Sequence, residues 1–185
     1  KLKAGEKMAF VGQNGAGKTT LIKLFLRFYE PTSGTIYLDG IDIKRFNKDE
    51  YQKIFGVIFQ DFFKYEFTVK ENIAVGKINE IENQDRIEKA AVQSLASEVV
   101  SELKKGYNQQ LGKRFNKGQE LSGGQWQKIA LARAYMKDAD VLILDEPTFG
   151  LGWKQKINLL KYLQRYLKQK HLIVISHDVE FIKTI

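Results

Sequence analysis

The stretch GQNGAGKT, residues 12–19, lies between the apolar run KMAFV and the amphipathic run TLIKLFLRFY. It fits the spacing G-x-x-x-x-G-K-[ST], in which glycines let successive backbone N–H groups turn inward around phosphate oxygens. A following helix adds its positive N-terminus to such a loop. A glycine-rich turn with a helix-capping lysine is the plainer alternative. The strand pattern before the loop and the helix pattern after it favour a phosphate-binding loop.

This loop assigns roles to its residues. In this pattern the Lys18 ammonium would lie against the β- and γ-phosphates of a nucleotide, and the Thr19 hydroxyl would bind Mg²⁺. The candidate nucleotide-binding residues are Gly12, Gln13, Asn14, Gly15, Ala16, Gly17, Lys18, Thr19 and Thr20.

Strand and helix patterns alternate along the rest of the chain. Buried strands are predicted at residues 7–12, 55–60, 141–146 and 171–176, and helices at 19–29, at 85–104, after 122 and around Ile157, Leu160, Leu163 and Leu167. Residues 35–43 alternate around Asp39-Gly40, a hairpin signal. This order predicts an α/β fold with a mostly parallel sheet, helices on both faces and a small antiparallel part. The helical part at about 80–137 could form a subdomain.

Composition sets limits on partners and compartment. The 185 residues suit one domain, and the net charge of +8 favours anionic partners without choosing among them. The absence of cysteine excludes disulfides and thiolate metal sites. The apolar runs are far shorter than the ~20 residues that span a bilayer. Because the chain starts at Lys1 and stops within a helical pattern, we expect one domain, 1–185, cut from a longer polypeptide.

Polar residues follow three of the predicted parallel strands, at the edge of the sheet where ligands bind. Asp145 and Glu146 close one strand, so Asp145 is a candidate Mg²⁺ ligand and Glu146 a candidate base that polarises an attacking water. The alternative for this pair is an ordinary helix start before Pro147. Gln60 is a candidate sensor of Mg²⁺ or water, and His177 of the γ-phosphate, although each alone could be an ordinary strand-end residue.

The stretch LSGGQ, residues 121–125, contains a second glycine-rich helix start. Ser122 and Gln125 fit the S-x-x-Q capping box, which leaves Gly123 and Gly124 unexplained. Glycines there permit close backbone approach and direct bare N–H groups at an anion. The chain therefore has one phosphate loop but two positions suited to phosphate. An economical solution is that the second serves the nucleotide of another copy.

These motifs stand in the order found in the ATP-binding cassette ATPases, which the whole chain resembles. The resemblance implies a P-loop NTPase fold with ATP and Mg²⁺ as cofactors. It also implies a head-to-tail pair in which each ATP lies between one phosphate loop and the partner's LSGGQ. Ser122 and Gly124 would then contact the γ-phosphate in trans. Glu146 would be the catalytic base and His177 the switch histidine.

Residues 67–76 resemble the segment after the glutamine loop in exporters, and residues 107–134 resemble bacterial peptide exporters of the lantibiotic and bacteriocin type. We therefore expect an ATPase that dimerises, as a homo- or heterodimer, around two Mg·ATP and powers export of a peptide, lipid or drug. Its transmembrane domain would be fused N-terminally. The cassette would work at the cytoplasmic face of a bacterial plasma membrane, and no nucleic-acid partner is expected.

One departure bears on mechanism. The family usually has Ser-Ala-Leu-Asp where this chain has Phe149, Gly150, Leu151 and Gly152, so an aspartate that helps join the two active sites is missing. Two alternatives stay open. A soluble cassette acting on ribosomes or nucleic acid is compatible with the positive charge. A binding-only regulatory cassette is favoured slightly by the altered loop and disfavoured by the presence of Glu146 and His177.

Overall fold

The computed structural model describes residues 6–13, 15–114, 118–148, 151–166 and 170–184. Five residues named above lie outside the described residues: Lys1, Asn14, Phe149, Gly150 and Leu167. The strands are β1 (Lys7–Phe10), β2 (Tyr37–Leu38), β3 (Ile41–Asp42), β4 (Phe55–Ile58), β5 (Val141–Asp145) and β6 (His171–Ile175). The α-helices are α1 (Lys18–Phe25), α2 (Lys48–Lys53), α3 (Val69–Ala74), α4 (Gln84–Ser94), α5 (Ala96–Glu102), α6 (Gly123–Lys137), α7 (Trp153–Tyr166) and α8 (Val179–Thr184).

The main sheet has four strands in the order β1-β6-β5-β4, and every neighbouring pair is parallel. Because the strands are parallel, their carboxyl ends meet at one edge, where Phe10 and Asp145 both pair with Ile175. The predicted parallel sheet is confirmed. This edge carries the phosphate loop after β1 and the polar residues that follow the other three strands.

Both faces of this sheet are covered at the central strands β5 and β6. The edge strand β1 has Lys7 and Ala9 exposed, so the prediction that this strand is buried is wrong. Leu142 and Leu144 of β5 pack in an apolar cluster with Trp126 of α6. Ile143, between them, belongs to a second cluster with Ile22 of α1. Successive residues of a strand point to opposite faces, so the two clusters are the two sides of one sheet. Helices on both faces are therefore confirmed.

The small antiparallel part is also present. β2 and β3 pair around Asp39 and Gly40, whose φ values of 50° and 81° are both positive. Two residues with positive φ are the signature of a tight type I′ hairpin turn, which explains the Asp-Gly pair.

Two helix predictions are wrong in extent. The first predicted helix was to run to Tyr29, but α1 ends at Phe25. Arg27 takes a left-handed φ of 54°, and its Nη1 donates to the carbonyls of Ile43 and Phe46, both at 2.9 Å. Docking against this neighbouring segment turns the chain out of the helix, although the sequence pattern continues.

The second concerns residues 85–104, which form two helices broken at Leu95 with a φ of 64°. The Ser94 hydroxyl donates to Ala91 O at 3.1 Å and accepts from Ala96 N at 3.2 Å. Such local side-chain bonds compete with the helical ladder, so α4 stops and α5 restarts. Among the described residues, no helix is long and apolar enough to cross a membrane.

Candidate active site

The phosphate loop leaves β1 and enters α1 as predicted. Gly15 and Gly17 have φ values of 82° and 84°, and an added Cβ would meet nothing within 4 Å at either position. The backbone conformation, and not lack of space, therefore requires glycine there. Lys18 Nζ donates to Gly12 O at 2.7 Å and to Gln13 O at 2.8 Å, so the ammonium lies across the loop. Ala16 and Thr20 are exposed beside it.

A hydroxyl and a carboxylate meet where the loop reaches the end of β5. Thr19 Oγ1 donates to Asp145 Oδ2 at 2.8 Å. Asp145 is only 4% exposed, and this burial raises its pKa, while the Thr19 hydroxyl opposes the rise. Hard oxygen ligands beside a phosphate site suit Mg²⁺. Thr19 and Asp145 therefore fit the metal role that the sequence assigned to them.

Glu146 is buried, at 6% exposure, in an unusual conformation. Its φ is 49°, a left-handed value that costs a non-glycine residue about 1–3 kcal/mol and tends to occur at functional sites. Oε2 lies 2.9 Å from His177 Nδ1 and accepts a longer bond, 3.4 Å, from Ser176 Oγ. Oε1 is buried and has no hydrogen-bond partner among the described residues. One carboxylate oxygen is thus occupied and the other is available.

Gln60 lies two residues beyond the end of β4, and Ile58 at that end pairs with Leu144 of β5. Gln60 is therefore at the same edge of the sheet as the two carboxylates. It is exposed and makes no hydrogen bond within the described part of the chain.

The LSGGQ stretch begins α6 with the capping box expected from Ser122 and Gln125. Ser122 Oγ accepts from Gln125 N at 3.3 Å, and Gln125 Oε1 accepts from Ser122 N at 2.9 Å. A Cβ added at Gly123 would meet nothing within 4 Å, and one at Gly124 would make ordinary contacts with Gln155 and Leu151. Neither glycine has a positive φ. Nothing within the described chain therefore requires glycine at position 123.

The structure thus forms two groups of predicted site residues. The phosphate loop, Asp145, Glu146 and His177 come together at the sheet edge, whereas no hydrogen bond among the described residues joins residues 122–125 to that loop. Among the described residues, α6 is joined to the segment beside Glu146 by a side-chain hydrogen bond, which the Gln127 amide donates to Pro147 O.

Sequence reasoning missed a partly buried cation on α6, Arg133. Arg133 Nε donates to Asn72 O at 3.1 Å and Nη2 to Asn72 Oδ1 at 2.6 Å, while its guanidinium carbon lies 4.8 Å from the ring centroid of Tyr65. Burial lowers the pKa of Arg133 to about 10. The arginine within the apolar run IALARA was the available signal, since a charge is rarely buried there without a specific partner.

Comparison with known proteins gives consistent results. The family model described as ABC transporter matches residues 1–149. The chain is 45% identical over 176 residues to the subtilin transport ATP-binding protein of Bacillus subtilis, covering 95% of this chain and 29% of that protein. It is 36% identical over 183 residues to the ATP-dependent lipid A-core flippase of Wigglesworthia glossinidia brevipalpis, covering 99% and 31% respectively.

A solved structure of a bacterial Atm1-family ABC exporter with ATP bound superposes with a TM-score of 0.89 at 30% identity, covering 98% of this chain and 31% of that one. The chain therefore spans less than a third of the length of these relatives. A family match over most of the chain, together with a near-complete superposition, is decisive: the chain belongs to the ABC transporter family.

Proposed function

We propose that this chain is an ATP-hydrolysing cassette that pairs head to tail with a second cassette around two Mg·ATP. The main support is that two adjacent carboxylates beside the phosphate loop have different hydrogen-bond partners. Asp145 is bonded to the Thr19 hydroxyl, and Glu146 is bonded to His177 with its second oxygen available. This difference matches metal binding by one carboxylate and water activation by the other.

The residues would act as follows. Lys18 and the loop amides would bind the phosphates, and Thr19, Asp145 and Gln60 would hold Mg²⁺, which would neutralise phosphate charge when bound. Glu146 Oε1 accepts a hydrogen bond from the attacking water and takes its proton. His177 holds Glu146 Oε2 through Nδ1. Its side chain is 64% exposed, which leaves Nε2 able to face the γ-phosphate.

The second half of each site would come from the partner's Ser122, Gly123, Gly124 and Gln125. The empty space in front of Gly123 supports this, because the fold itself has no use for a glycine there. A helix N-terminus with exposed amides is an anion site. Since this chain carries both half-sites, a second copy suffices as partner, and a related cassette is the alternative.

Export is the process that such a pair would power. The curated relatives are described as a transport protein and a flippase, and the solved neighbour as an exporter. We infer a membrane domain on the N-terminal side and a position at the cytoplasmic face of a bacterial plasma membrane. The helical part at about 80–137 would form the subdomain that presents residues 122–125 to the partner.

The test compares Glu146→Gln with the wild-type full protein. We expect turnover to fall by about 10²–10⁴, the usual contribution of a general base. ATP binding should persist, and an ATP-dependent dimer should accumulate because hydrolysis no longer opens it. Glu82→Gln is the control, since Glu82 is 86% exposed in a surface ion pair. Equal turnover in the wild type and Glu146→Gln would refute the assignment and favour a binding-only cassette.

A further inference from the structure

The three-residue loop between β6 and α8 carries His177 and is fixed mainly by its last residue. Asp178 N donates to Ser176 Oγ at 3.0 Å, and Asp178 Oδ1 accepts from Phe181 N at 3.1 Å, which caps α8. Because Ser176 and His177 both contact Glu146, the orientation of this loop determines where the catalytic carboxylate sits.

The other carboxylate oxygen of Asp178, Oδ2, contacts a residue of α7. Lys156 Nζ donates to Asp178 Oδ2 at 2.6 Å. This hydrogen bond is the main reason why the pKa of Asp178 lies below its ordinary value, with the Phe181 amide contributing next. The Asp178 carboxylate is therefore ionised at neutral pH, and its hydrogen bond from Lys156 Nζ is a charge-assisted one.

Lys156 lies in the first turn of α7, directly after the segment that departs from the family pattern. Its backbone N–H donates to Gly152 O at 3.0 Å, and Gln155 Oε1 accepts from Gly152 N at 3.0 Å. Glycine at 152 offers no side chain to cap the helix or to reach another residue. The lysine therefore ties the start of α7, which follows Glu146 in the chain, to the loop that carries His177.

We propose that the Lys156–Asp178 ion pair is a positioning link that holds the His177 loop against the start of α7 and so aligns His177 with Glu146. This inference rests on the proposed ATPase function and names a determinant of its rate. The side chains of Lys156 and Asp178 are 30% and 19% exposed. Pairs with this much solvent contribute little to folding, so the effect of the link should appear in turnover before it appears in stability.

The experiment measures steady-state ATP hydrolysis and thermal unfolding of the full protein carrying Lys156→Met, Lys156→Arg or Lys161→Met. Lys161 is the matched control, because it is an exposed lysine of the same helix and has no ion pair among the described residues. We expect Lys156→Met to lower kcat about tenfold, as a small misplacement of a reacting group can. The KM for ATP and the melting temperature should stay unchanged. Lys156→Arg should recover most of the rate, since it keeps the charge.

Three results would overturn the link. The first is a kcat for Lys156→Met within twofold of wild type, and the second is a loss of kcat matched by Lys161→Met or by Lys156→Arg. The third is a loss of kcat in Lys156→Met accompanied by a lower melting temperature, which would indicate a structural role. Measuring Glu146→Gln in the same assay distinguishes failure of the positioning link from failure of the ATPase assignment. If Glu146→Gln is inactive while Lys156→Met is not impaired, the positioning link fails and the ATPase assignment stands.

Discussion

Two glycines of this chain are needed for different reasons, and replacing each by alanine separates folding from pairing. At Gly76 an added Cβ would lie 2.9 Å from the carbonyl carbon of Arg133, 3.0 Å from Met136 Cβ, and closer still to the Arg133 oxygen. At Gly123 it would meet nothing within 4 Å. Gly76 is thus where α6 packs tightly on a neighbouring segment, whereas Gly123 faces open space.

The expected magnitudes follow from these distances. The backbone at Arg133 cannot move aside easily, so Gly76→Ala should destabilise the fold by about 1–3 kcal/mol, the usual cost of overpacking. In a domain of this size each kcal/mol shifts the melting temperature by about 2–4 °C. Gly123→Ala should leave stability unchanged or raise it by up to about 1 kcal/mol, because alanine is the better helix former.

Function should respond in the opposite way. A methyl group at residue 123 would stand where we propose that the partner's nucleotide approaches. Gly123→Ala should therefore bind ATP as a folded protein but lose ATP-dependent dimerisation and most of its turnover. Thermal unfolding measures the stability of each variant, and phosphate release measures its turnover. Light scattering in the Glu146→Gln background measures ATP-dependent dimerisation.

A well-folded Gly123→Ala protein that dimerises and turns over ATP at the wild-type rate would show that the partner's nucleotide does not approach residue 123. A Gly123→Ala protein that unfolds as early as Gly76→Ala would also contradict the prediction, because that would mean the fold itself requires the glycine.

Three further predictions concern single side chains. Asp145→Asn should raise the melting temperature of the nucleotide-free protein at neutral pH and abolish the extra stabilisation by Mg·ATP. Burial raises the pKa of Asp145 in the folded protein, so protonation of this carboxyl stabilises the folded wild type. The difference in melting temperature between Asp145→Asn and the wild type should therefore shrink as the pH is lowered toward 3.8, the ordinary aspartate pKa. Arg133→Met should cost about 2–4 kcal/mol in urea denaturation by leaving the oxygens of Asn72 without a donor, and Arg133→Lys should recover less than half. Gly152→Asp should raise steady-state ATPase activity by restoring the aspartate that, by resemblance to the family, helps join the two active sites, and no change or a fall would count against this.

The sequence predicted most of the fold because its signals are local. Strand runs such as residues 141–146, the Asp39-Gly40 turn and the Ser122 capping box depend on neighbours within a few residues. The two wrong helix limits depend on side-chain hydrogen bonds that the apolar pattern does not reveal. Arg27 leaves α1 because of carbonyls more than fifteen residues away in the chain, and the apolar period through Leu95 hides a break made by the Ser94 hydroxyl.

The sequence predicted which residues lie at the candidate site, but it did not predict which of them contact one another. Motif spacing located Asp145, Glu146 and His177 at strand ends, and a parallel sheet brings such ends to one edge. Their pairing was out of reach, since the φ of 49° at Glu146 and the contact with His177 depend on tertiary packing. Lys156 and Asp178 lie outside any motif, and only the folded chain brings them together.

Disulfide trapping can show whether each nucleotide is shared between two copies of this chain. The chain contains no cysteine, so thiols can be introduced singly. One preparation would carry Ala16→Cys in the phosphate loop and the other Ser122→Cys, both with Glu146→Gln and with any cysteine elsewhere in the full protein replaced. We expect an intermolecular disulfide in the mixture when Mg·ATP is present. The yield should be much lower with ADP, and no disulfide should form in either preparation alone. Absence of the cross-link in a mixture shown to bind ATP would contradict the sharing of each nucleotide between two copies.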